Sequence, residues 1–256
     1  MSLADDLDRA EQAARAAGAA LLAHWHDRAR LDVQAKRRGD YVSQADAEAE
    51  QILRRHLLRP GEGWLGEESG TLPGARRWIV DPLDGTTNFL RGIGHWAVSV
   101  ALEDQGRLVL GVVLDPVRDE VFTAHLGGGA HLNGERLGPA PPQGFDAALF
   151  GTGLPFGDMP HIEDHAADLT RVLPHSAGVR RMGAAALDLA YVAAGRLDGF
   201  WERRLRPWDI AAGLVLLREA GCRVEGWTAA DRPEDSGNVI AAAPPLFTAL
   251  AAALRG

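Results

Sequence analysis

The 256-residue sequence predicts an α/β protein built from stacked layers of helix and sheet. Three observations lead to this prediction. Two helical periodicities, at 3–28 and 46–58, open the chain. A series of short apolar strands separated by turn residues follows them. The remainder of the chain alternates helices with strands, which is the rhythm of an α/β half.

The two N-terminal helices are predicted from apolar spacing and from the residues at their ends. From Leu3 to Trp25, apolar residues recur at intervals of three, four and their sums, as on one face of a helix. The second helix begins at Asp46, which suits an N-cap position, and Pro60 ends it. The charged stretch 36–40 between the two helices predicts a loop.

The later elements are predicted from apolar runs that lie between turn signals. The predicted strands of the middle segment are 78–80, 97–102, 108–114 and 120–124, with a tight hairpin turn at Asn133-Gly134. Beyond a Pro-rich boundary at 139–144, the predicted helices are 162–173, 184–194, 208–220 and 245–254, and the predicted strands are 147–151, 199–201, 222–226 and 238–242. We therefore expect one domain, 1–256, with two packed halves at roughly 1–142 and 143–256.

Composition and charge narrow the class of partner. The chain is 46% hydrophobic and 24% charged, which is typical of a globular protein, and its formal net charge is -8. An acidic surface repels nucleic acid and anionic membranes, so neither is an expected partner. It also repels a phosphorylated substrate, so phosphate chemistry here requires metal cations. Cys222 is the only cysteine, and no apolar run reaches membrane length, so we expect a cytoplasmic protein without an internal disulfide.

The most informative segment is 78–89, where an apolar strand ends directly in the carboxylate of Asp81. A proline stiffens the next step before the turn pair Asp84-Gly85, so both aspartates can project toward one point. Thr86 would open a helix whose free N–H groups form an anion site. A surface turn with capping aspartates is the alternative. It is favoured for the turn pair alone and is weaker for the whole segment.

Two further acidic residues extend this pattern. Glu67 precedes the segment by a short loop and, taken alone, indicates a solvated turn. Asp209 follows Pro207 in the first turn of a predicted helix, where it would equally well complement the helix dipole. Together with Asp81 and Asp84 they supply four carboxylates. Mg²⁺ prefers oxygen ligands and needs only one or two carboxylates per ion, so two or three ions could share this set.

These motifs resemble those of the inositol monophosphatase family, which consists of Mg²⁺-dependent, lithium-sensitive phosphatases. The resemblance covers nearly the whole chain, in the same order, through Glu67-Glu68, the segment 81–86 and Trp208-Asp209. It implies the five-layer αβαβα sandwich that inositol monophosphatases share with fructose-1,6-bisphosphatases. It also implies a homodimer.

The resemblance implies a ligand set for two or three ions of Mg²⁺. Glu67, Asp81 and the Leu83 carbonyl would bind one ion. Asp81, Asp84 and Asp209 would bind a second, with Asp81 as the bridge. Glu67 would also help to hold a weaker third ion.

The resemblance further assigns the phosphate and the attacking water. The N–H groups of Gly85 and Thr86 would hold the phosphate, and Thr86, oriented by Asp46, would position the water. The implied catalytic residues are Thr86, Asp46, Glu67 and Asp81. Lys36 is similar to the basic residue near the metals, although the family has one more residue between this lysine and the aspartate that matches Asp40.

For the substrate, Glu202 is similar to the glutamate that binds inositol hydroxyls, and a surface acid at a strand end is the alternative. The segment 183–185 resembles the lining of the sugar pocket, with Ala184 where the family often has threonine. The implied substrate-binding residues are Gly85, Thr86, Gly183, Ala185, Glu202 and Asp209. His95 is expected to pack or to form a hydrogen bond rather than to ligate metal.

The implied reaction is Mg²⁺-dependent hydrolysis of a small phosphate monoester to alcohol and phosphate, by direct attack of a metal-activated water. The favoured substrate is myo-inositol 1-phosphate. Histidinol phosphate, fructose 1,6-bisphosphate and 3′-phosphoadenosine 5′-phosphate are alternatives within the same resemblance. A non-catalytic binding protein on this scaffold is the alternative from another class, and such a protein would be expected to have lost metal carboxylates.

Overall fold

A computed structural model describes residues 2–31, 33–37, 40–138, 141, 144–154, 162–228 and 230–256. Within these ranges, the helices all lack the combination of length and apolar character that crossing a bilayer requires. Two large sheets with helices on their faces, together with one two-stranded sheet, make up the architecture.

The N-terminal helix pair consists of α1 (Leu3–His26) and α2 (Gln44–Leu57), joined through the short antiparallel strands β1 (Val33–Arg37) and β2 (Asp40–Ser43). The loop predicted at 36–40 is wrong for residues 36, 37 and 40, which belong to this strand pair, and residues 38–39 lie outside the described residues. The predicted start of the second helix is also wrong. Ser43 is the N-cap, and Asp46 lies one turn inside and completes a capping box.

The first sheet has eight strands in the order β10-β9-β8-β7-β6-β5-β3-β4. Its strands are β3 (Gly63–Gly66), β4 (Gly70–Leu72), β5 (Arg76–Asp84), β6 (Ala97–Asp104), β7 (Arg107–Asp115), β8 (Glu120–His125), β9 (Gly129–Leu132) and β10 (Glu135–Arg136). All neighbours are antiparallel except β3 and β5, which run parallel. The hairpin predicted at Asn133-Gly134 is confirmed as the turn between β9 and β10. The sequence did not predict β3 or β4.

The second sheet has five strands in the order β12-β11-β13-β15-β14. Its strands are β11 (Leu149–Thr152), β12 (Gly178–Arg180), β13 (Gly199–Glu202), β14 (Arg223–Glu225) and β15 (Val239–Ala242). The remaining helices are α3 (Thr86–Arg91), α4 (Ile162–Val172), α5 (Ala185–Ala193), α6 (Pro207–Glu219), α7 (Pro233–Ser236) and α8 (Pro244–Arg255). Both neighbours of β11 are parallel to it, whereas β15 is antiparallel to its two neighbours.

The layers follow from the three apolar cores between them. The first core lies between the α1/α2 pair and one face of the eight-stranded sheet. The second contains α5 and α6 and is contacted by both sheets. The third lies between the five-stranded sheet and α8, which packs beside α4. This order confirms the predicted five-layer αβαβα sandwich.

Helix α6 lies in the central layer and positions one side of the site. Its residues from Ile210 to Leu217 are all buried, as expected for a helix with a sheet on either side. It approaches the first sheet at Gly111, where an added Cβ would lie 2.5 Å from the Ala212 carbonyl oxygen. This close approach brings the start of α6 to the same edge as the ends of β3 and β5.

The predicted boundary between two halves lies between the last strand of the first sheet and the first strand of the second. The eight-stranded sheet ends at Arg136, and the five-stranded sheet begins at Leu149. Residues 139–140 and 142–143 of the boundary lie outside the described residues. The division of the single domain into the halves 1–142 and 143–256 stays a prediction.

Candidate active site

Acidic side chains collect at one edge of the first sheet because two parallel strands end there. β3 and β5 are paired in register from Gly63 with Arg77 to Gly66 with Val80. Glu67 follows β3 directly, and its N–H continues the ladder by donating to the Val80 carbonyl across 3.2 Å. The next residue of β5 is Asp81, so the two carboxylates lie side by side at the strand ends.

The end of β5 bends at the predicted turn. Pairing with β6 slips between Asp81 and Asp84, which marks a bulge in the ladder. The Asp81 Oδ1 atom accepts the Leu83 N–H at 2.9 Å and so closes the bend. Gly85 then adopts a φ of 92°, in the left-handed region, and precedes α3 as its N-cap. A side chain at Gly85 would be strained and would lie 3.1 Å from the His95 carbonyl.

The carboxylates at this edge oppose one another's ionisation. Burial raises the pKa of Asp81 well above its usual range, and the charges of Glu67, Asp84 and Asp209 raise it further. Burial is the largest cause that raises the pKa of Asp209, and the negative charge of Asp84 is the second largest. Burial raises the pKa of Asp84 to about 7, against the lowering effect of the Ala186 N–H. A site that concentrates negative charge in this way is suited to divalent cations.

The residues present fit a magnesium site by their chemistry. The candidate donors are carboxylate oxygens of Glu67, Asp81, Asp84 and Asp209 and the carbonyl of Leu83, and hard cations bind such oxygens. Across the described ranges, however, the structure contains no group of three His, Cys, Asp or Glu side chains that is already arranged to hold a metal. This arrangement is compatible with Mg²⁺, because that ion keeps several waters and takes few ligands from one protein.

Glu50 holds the loop that carries Glu67, and the sequence analysis missed it. This side chain on α2 is 3% exposed. Its Oε2 atom accepts the Glu68 N–H at 2.8 Å, and Oε1 accepts the Ser69 N–H at 3.0 Å. Gly66 makes room for it, since an added Cβ there would lie 2.5 Å from Glu50 Oε1. The alternating pattern of acid and alanine in α2 resembles a solvated face, so it gave no signal of this role.

Asp84, a predicted metal ligand at the end of β5, also contacts the start of α5 on the substrate side of the site. Its Oδ2 atom accepts the Ala186 N–H at 2.7 Å, and the Ala185 N–H also bonds to it. The N-cap of α5 is Ala184, which has no side-chain cap of its own. Asp84 therefore satisfies the start of α5 from across the site, as an N-cap residue would.

The Thr86 hydroxyl lies between two acceptors at the start of α3. It is 3.3 Å from Asp46 Oδ1 and 3.1 Å from the Leu83 carbonyl. The other oxygen of Asp46 accepts the backbone N–H and the hydroxyl of Ser43, at 2.9 and 2.7 Å. The structure thus brings Thr86 and Asp46 together. Lys36 lies in β1, but its side chain is outside the described part of the chain.

A cavity of about 80 Å³ lies next to the carboxylates, and residues from the second half of the chain form most of its wall. It is lined by Asp84, Gly153, Leu154, Arg181, Gly183, Ala184, Ala185, Asp188, Glu202, Leu205 and Asp209. Glu202 is 9% exposed, and burial raises the pKa of its carboxyl well above the usual range. All the predicted substrate residues of the second half therefore line this cavity.

Among the cavity residues that the sequence did not single out, Gly153 and Asp188 have specific contacts. A Cβ on Gly153 would overlap both carboxylate oxygens of Glu202, so any larger residue at this position would displace that carboxylate. Asp188 is buried and pairs with His95, which confirms that His95 forms a hydrogen bond. Neither residue lies in a motif that stands out, because each acquires its neighbour only through tertiary packing.

The comparisons with known proteins agree along the whole chain. A sequence model of the inositol monophosphatase family matches residues 3–256. The inositol-1-monophosphatase of Rhizobium meliloti strain 1021 is 49% identical over 238 residues, which cover 90% of this chain and 88% of that protein. The Nus factor SuhB of Pseudomonas aeruginosa is 42% identical over 253 residues, which cover 95% of this chain and 93% of that protein. Among solved structures, the extragenic suppressor protein suhB from Bartonella henselae has a TM-score of 0.93 at 43% identity and covers 97% of both chains.

The fold, the carboxylate cluster and these similarities define an enzyme, a phosphoric monoester hydrolase. The chain belongs to the inositol monophosphatase family. The resemblance, the fold class and the phosphatase activity predicted from the sequence are confirmed.

Proposed function

We propose that this phosphatase hydrolyses a small polyol phosphate, with myo-inositol 1-phosphate as its substrate, and that it uses Mg²⁺. The observation that carries the proposal is the meeting of Glu67, Asp81, Asp84 and Asp209 beside the start of α3, next to a cavity with Glu202 in its wall. The name of the Rhizobium meliloti relative supports the choice of substrate. Dependence on Mg²⁺ and inhibition by lithium are properties of the family.

The predicted ligand set follows from the donors at the sheet edge. Glu67, Asp81 and the Leu83 carbonyl would hold one ion, and Asp81, Asp84 and Asp209 a second, with a third near Glu67. The chemistry that Mg²⁺ supplies when bound is neutralisation of phosphate charge and activation of water as a nucleophile. Removal of Asp81, which belongs to both sets, should therefore abolish activity.

The residues of the chain orient the reactants. The backbone N–H groups of Gly85 and Thr86 hold the phosphate. The Thr86 hydroxyl donates its proton to Asp46 or to the Leu83 carbonyl, so its oxygen is left to accept a hydrogen bond from the attacking water. The water oxygen bonds to phosphorus as the bond to the alcohol oxygen breaks. The proton lost by water balances the proton that the alcohol gains, and positioning supplies most of the catalysis.

The leaving alcohol lies in the cavity formed by the second half of the chain. Glu202 and Asp209 accept hydrogen bonds from its hydroxyl groups, and Gly183 and Ala185 give it a wall without bulky side chains. The cavity wall contains Arg181 but several carboxylates, so its net charge is negative. An excess of negative charge favours a neutral alcohol over one that carries a second phosphate. This charge argument ranks inositol phosphate above fructose 1,6-bisphosphate and 3′-phosphoadenosine 5′-phosphate.

A substrate panel tests the proposal. We expect phosphate release with Mg²⁺ to give the highest kcat/KM for myo-inositol 1-phosphate among that substrate, histidinol phosphate, fructose 1,6-bisphosphate and 3′-phosphoadenosine 5′-phosphate. We expect Li⁺ to inhibit it. Asp81→Asn should lose activity, while Asp119→Asn, at an exposed turn, should keep it. Wild-type turnover by Asp81→Asn at saturating Mg²⁺ would refute the ligand assignment.

A second candidate function comes from the relative named Nus factor SuhB. A role of that kind would depend on binding and need not involve hydrolysis. The test is a complementation experiment, in which a Pseudomonas aeruginosa strain without SuhB receives either this chain or its Asp81→Asn variant. If both restore the function lost with SuhB, the role is separable from hydrolysis. If neither restores it, this candidate is removed.

The remaining proposals concern assembly and location. We infer a homodimer in the cytoplasm, with no nucleic acid or membrane as a partner, from the family resemblance and from the net charge of -8. Light scattering should give twice the 27.4 kDa of one chain. A mass of 27.4 kDa at micromolar concentration would refute the dimer.

A further inference from the structure

Asp188 is a buried carboxylate in the wall of the substrate cavity, and the proposed mechanism does not use it. It lies on α5 and is 1% exposed. A carboxylate that is removed from water costs free energy unless it has partners. Burial raises the pKa of Asp188, and the hydrogen bond from His95 lowers it in part. A residue that pays this penalty at the wall of a binding cavity is a candidate for substrate recognition.

His95 fixes the position of this carboxylate from the other half of the chain. The His95 ring donates its Nε2–H to Asp188 Oδ1 across 2.8 Å, since an ionised carboxylate can only accept. The ring also meets Tyr191 edge to face, with centroids 5.6 Å apart. The carbonyl of His95 accepts the side-chain N–H of Asn88 at 2.7 Å. Ring and backbone are therefore both held, and the carboxylate has a single preferred orientation.

Only one oxygen of Asp188 takes part in this pair. Among the residues that the structure describes, the carboxylate forms a side-chain hydrogen bond with His95 alone. Its second oxygen therefore retains its capacity to accept, and the residue lines the cavity together with Glu202. The two carboxylates are close enough for the charge of Asp188 to raise the pKa of Glu202. The cavity wall thus contains two carboxylates, which can accept hydrogen bonds from hydroxyl donors.

We propose that Asp188 is a specificity-determining residue that accepts a hydrogen bond from a hydroxyl group of the leaving alcohol, and that His95 is the positioning residue that holds it. This inference rests on the proposed function, and it narrows the substrate class to alcohols with at least two hydroxyl groups within reach of Asp188 and Glu202. A neutral polyol satisfies both carboxylates. A leaving group without hydroxyls offers no hydrogen-bond donor to Glu202 or to the second oxygen of Asp188, which weakens its binding.

The test compares a polyol phosphate with a phosphate that lacks hydroxyls, in the same enzyme. We expect Asp188→Asn to lower the ratio of kcat/KM for myo-inositol 1-phosphate to kcat/KM for p-nitrophenyl phosphate by about 10- to 100-fold. That range corresponds to the loss of a hydrogen bond to a charged group. In this variant, the asparagine oxygen would still accept the hydrogen bond from His95. Its NH₂ group would then face the substrate hydroxyl, so that two donors would oppose each other without an acceptor. Glu202→Gln should lower the same ratio.

His95 variants separate positioning from a structural role. His95→Phe should lower the ratio in the same direction as Asp188→Asn, and His95→Gln, which keeps an N–H donor, should restore part of it. The matched control is Asp115→Asn. Asp115 is also a fully buried carboxylate in an ion pair, with Arg118, but it does not line the cavity. Its replacement should change stability without changing the ratio.

Mono-deoxy analogues of inositol 1-phosphate keep the inference testable if Asp188→Asn does not fold. In the wild type, removal of the hydroxyl that meets Asp188 should lower kcat/KM, and in His95→Phe the same removal should cost less. Equal losses for both substrates in Asp188→Asn, or equal effects of every deoxy analogue in both enzymes, would overturn the inference. A wild-type enzyme without preference for the polyol phosphate would instead refute the proposed substrate class.

Discussion

One side chain, Glu50, satisfies two backbone N–H groups in the loop after β3. Replacement of Glu50 by alanine leaves the N–H groups of Glu68 and Ser69 without this acceptor, at a cost of about 1–3 kcal/mol in the free energy of unfolding. The loop also carries Glu67. We therefore expect Mg²⁺ affinity, measured from the dependence of the rate on metal concentration, to fall by about 10- to 100-fold.

The matched control for this prediction is Glu48→Ala on the same helix. Glu48 is exposed, and within the described ranges its one side-chain partner is the His24 ring, at 2.7 Å. Exposed pairs contribute little, so stability and metal affinity should both stay near the wild-type values. An unchanged metal affinity in Glu50→Ala would mean that Glu50 does not position Glu67.

Gly153 provides a second test at the residue scale. An added methyl would overlap the Glu202 carboxylate, which must shift from its present position. We expect Gly153→Ala to raise KM for inositol 1-phosphate by about tenfold or more, as the loss of one charged hydrogen bond would, with a smaller effect on kcat. Gly138→Ala is the control, because that exposed glycine has open space around its Cβ position. A wild-type KM in Gly153→Ala would exclude Glu202 from substrate binding.

The acidic residues with a motif around them could be predicted, and the residues that support them could not. Asp81 and Asp84 stand out because a strand, a proline and a glycine turn surround them. Glu50 and Asp188 sit inside ordinary helical sequence. Their roles depend on which strand or loop packs against the helix, and that information is tertiary.

At the scale of elements, the capping box at the start of α2 serves both folding and the site. The Ser43 hydroxyl accepts the Ala45 N–H and donates to Asp46, and Asp46 contacts Thr86. Ser43→Ala should therefore cost about 1 kcal/mol in stability, as for other N-caps. It should also lower kcat, because Asp46 loses one of the contacts that fix it.

Ser2→Ala is the matched control, since Ser2 and Asp5 form a capping box of the same type at the exposed start of α1. Denaturation curves should show comparable losses of stability for both variants. Steady-state rates should show a lower kcat for Ser43→Ala alone. Equal kcat values would remove Asp46 from the proposed orientation of water.

Elements with a long apolar pattern were predicted well, and short ones were not. α1 and α6 have strong periodicity or end signals, whereas β4 is exposed along its whole length and leaves no apolar trace. The strand pair at 33–43 is rich in charged and polar residues, so its sequence resembles a loop.

At the scale of the whole molecule, the carboxylate cluster opposes folding unless cations occupy it. Burial raises the pKa of Asp84 in the folded protein to about 7, from an ordinary value of 3.8. A carboxyl with a raised folded pKa stabilises the fold less as pH rises from the unfolded value through the folded one. The metal-free protein therefore loses this contribution between about pH 4 and pH 7.

Metal binding should reverse that loss, because Mg²⁺ needs the deprotonated carboxylates. We expect saturating Mg²⁺ to raise Tm more at pH 8 than at pH 5, as measured by calorimetry. Asp84→Asn should reduce this difference between the two pH values. An Mg²⁺-induced shift in Tm that is larger at pH 5 would contradict the assignment of these carboxylates as ligands.

The layered architecture was predictable from the order of elements, because alternating helices and strands have few ways to bury their apolar faces. The convergence of four distant carboxylates was not predictable from composition or periodicity. The motifs around the four residues suggested a shared Mg²⁺ set, and the family resemblance implied that they converge. The parallel pairing of β3 with β5 gives the physical reason for Glu67 and Asp81.

The most direct test of the central claim is an anomalous diffraction measurement on crystals soaked with Mn²⁺ and phosphate. The account predicts anomalous peaks among the side chains of Glu67, Asp81, Asp84 and Asp209, with phosphate density against the N–H groups of Gly85 and Thr86. Soaked crystals of active protein with no anomalous peak at this edge of the sheet, or with peaks only elsewhere, would contradict it.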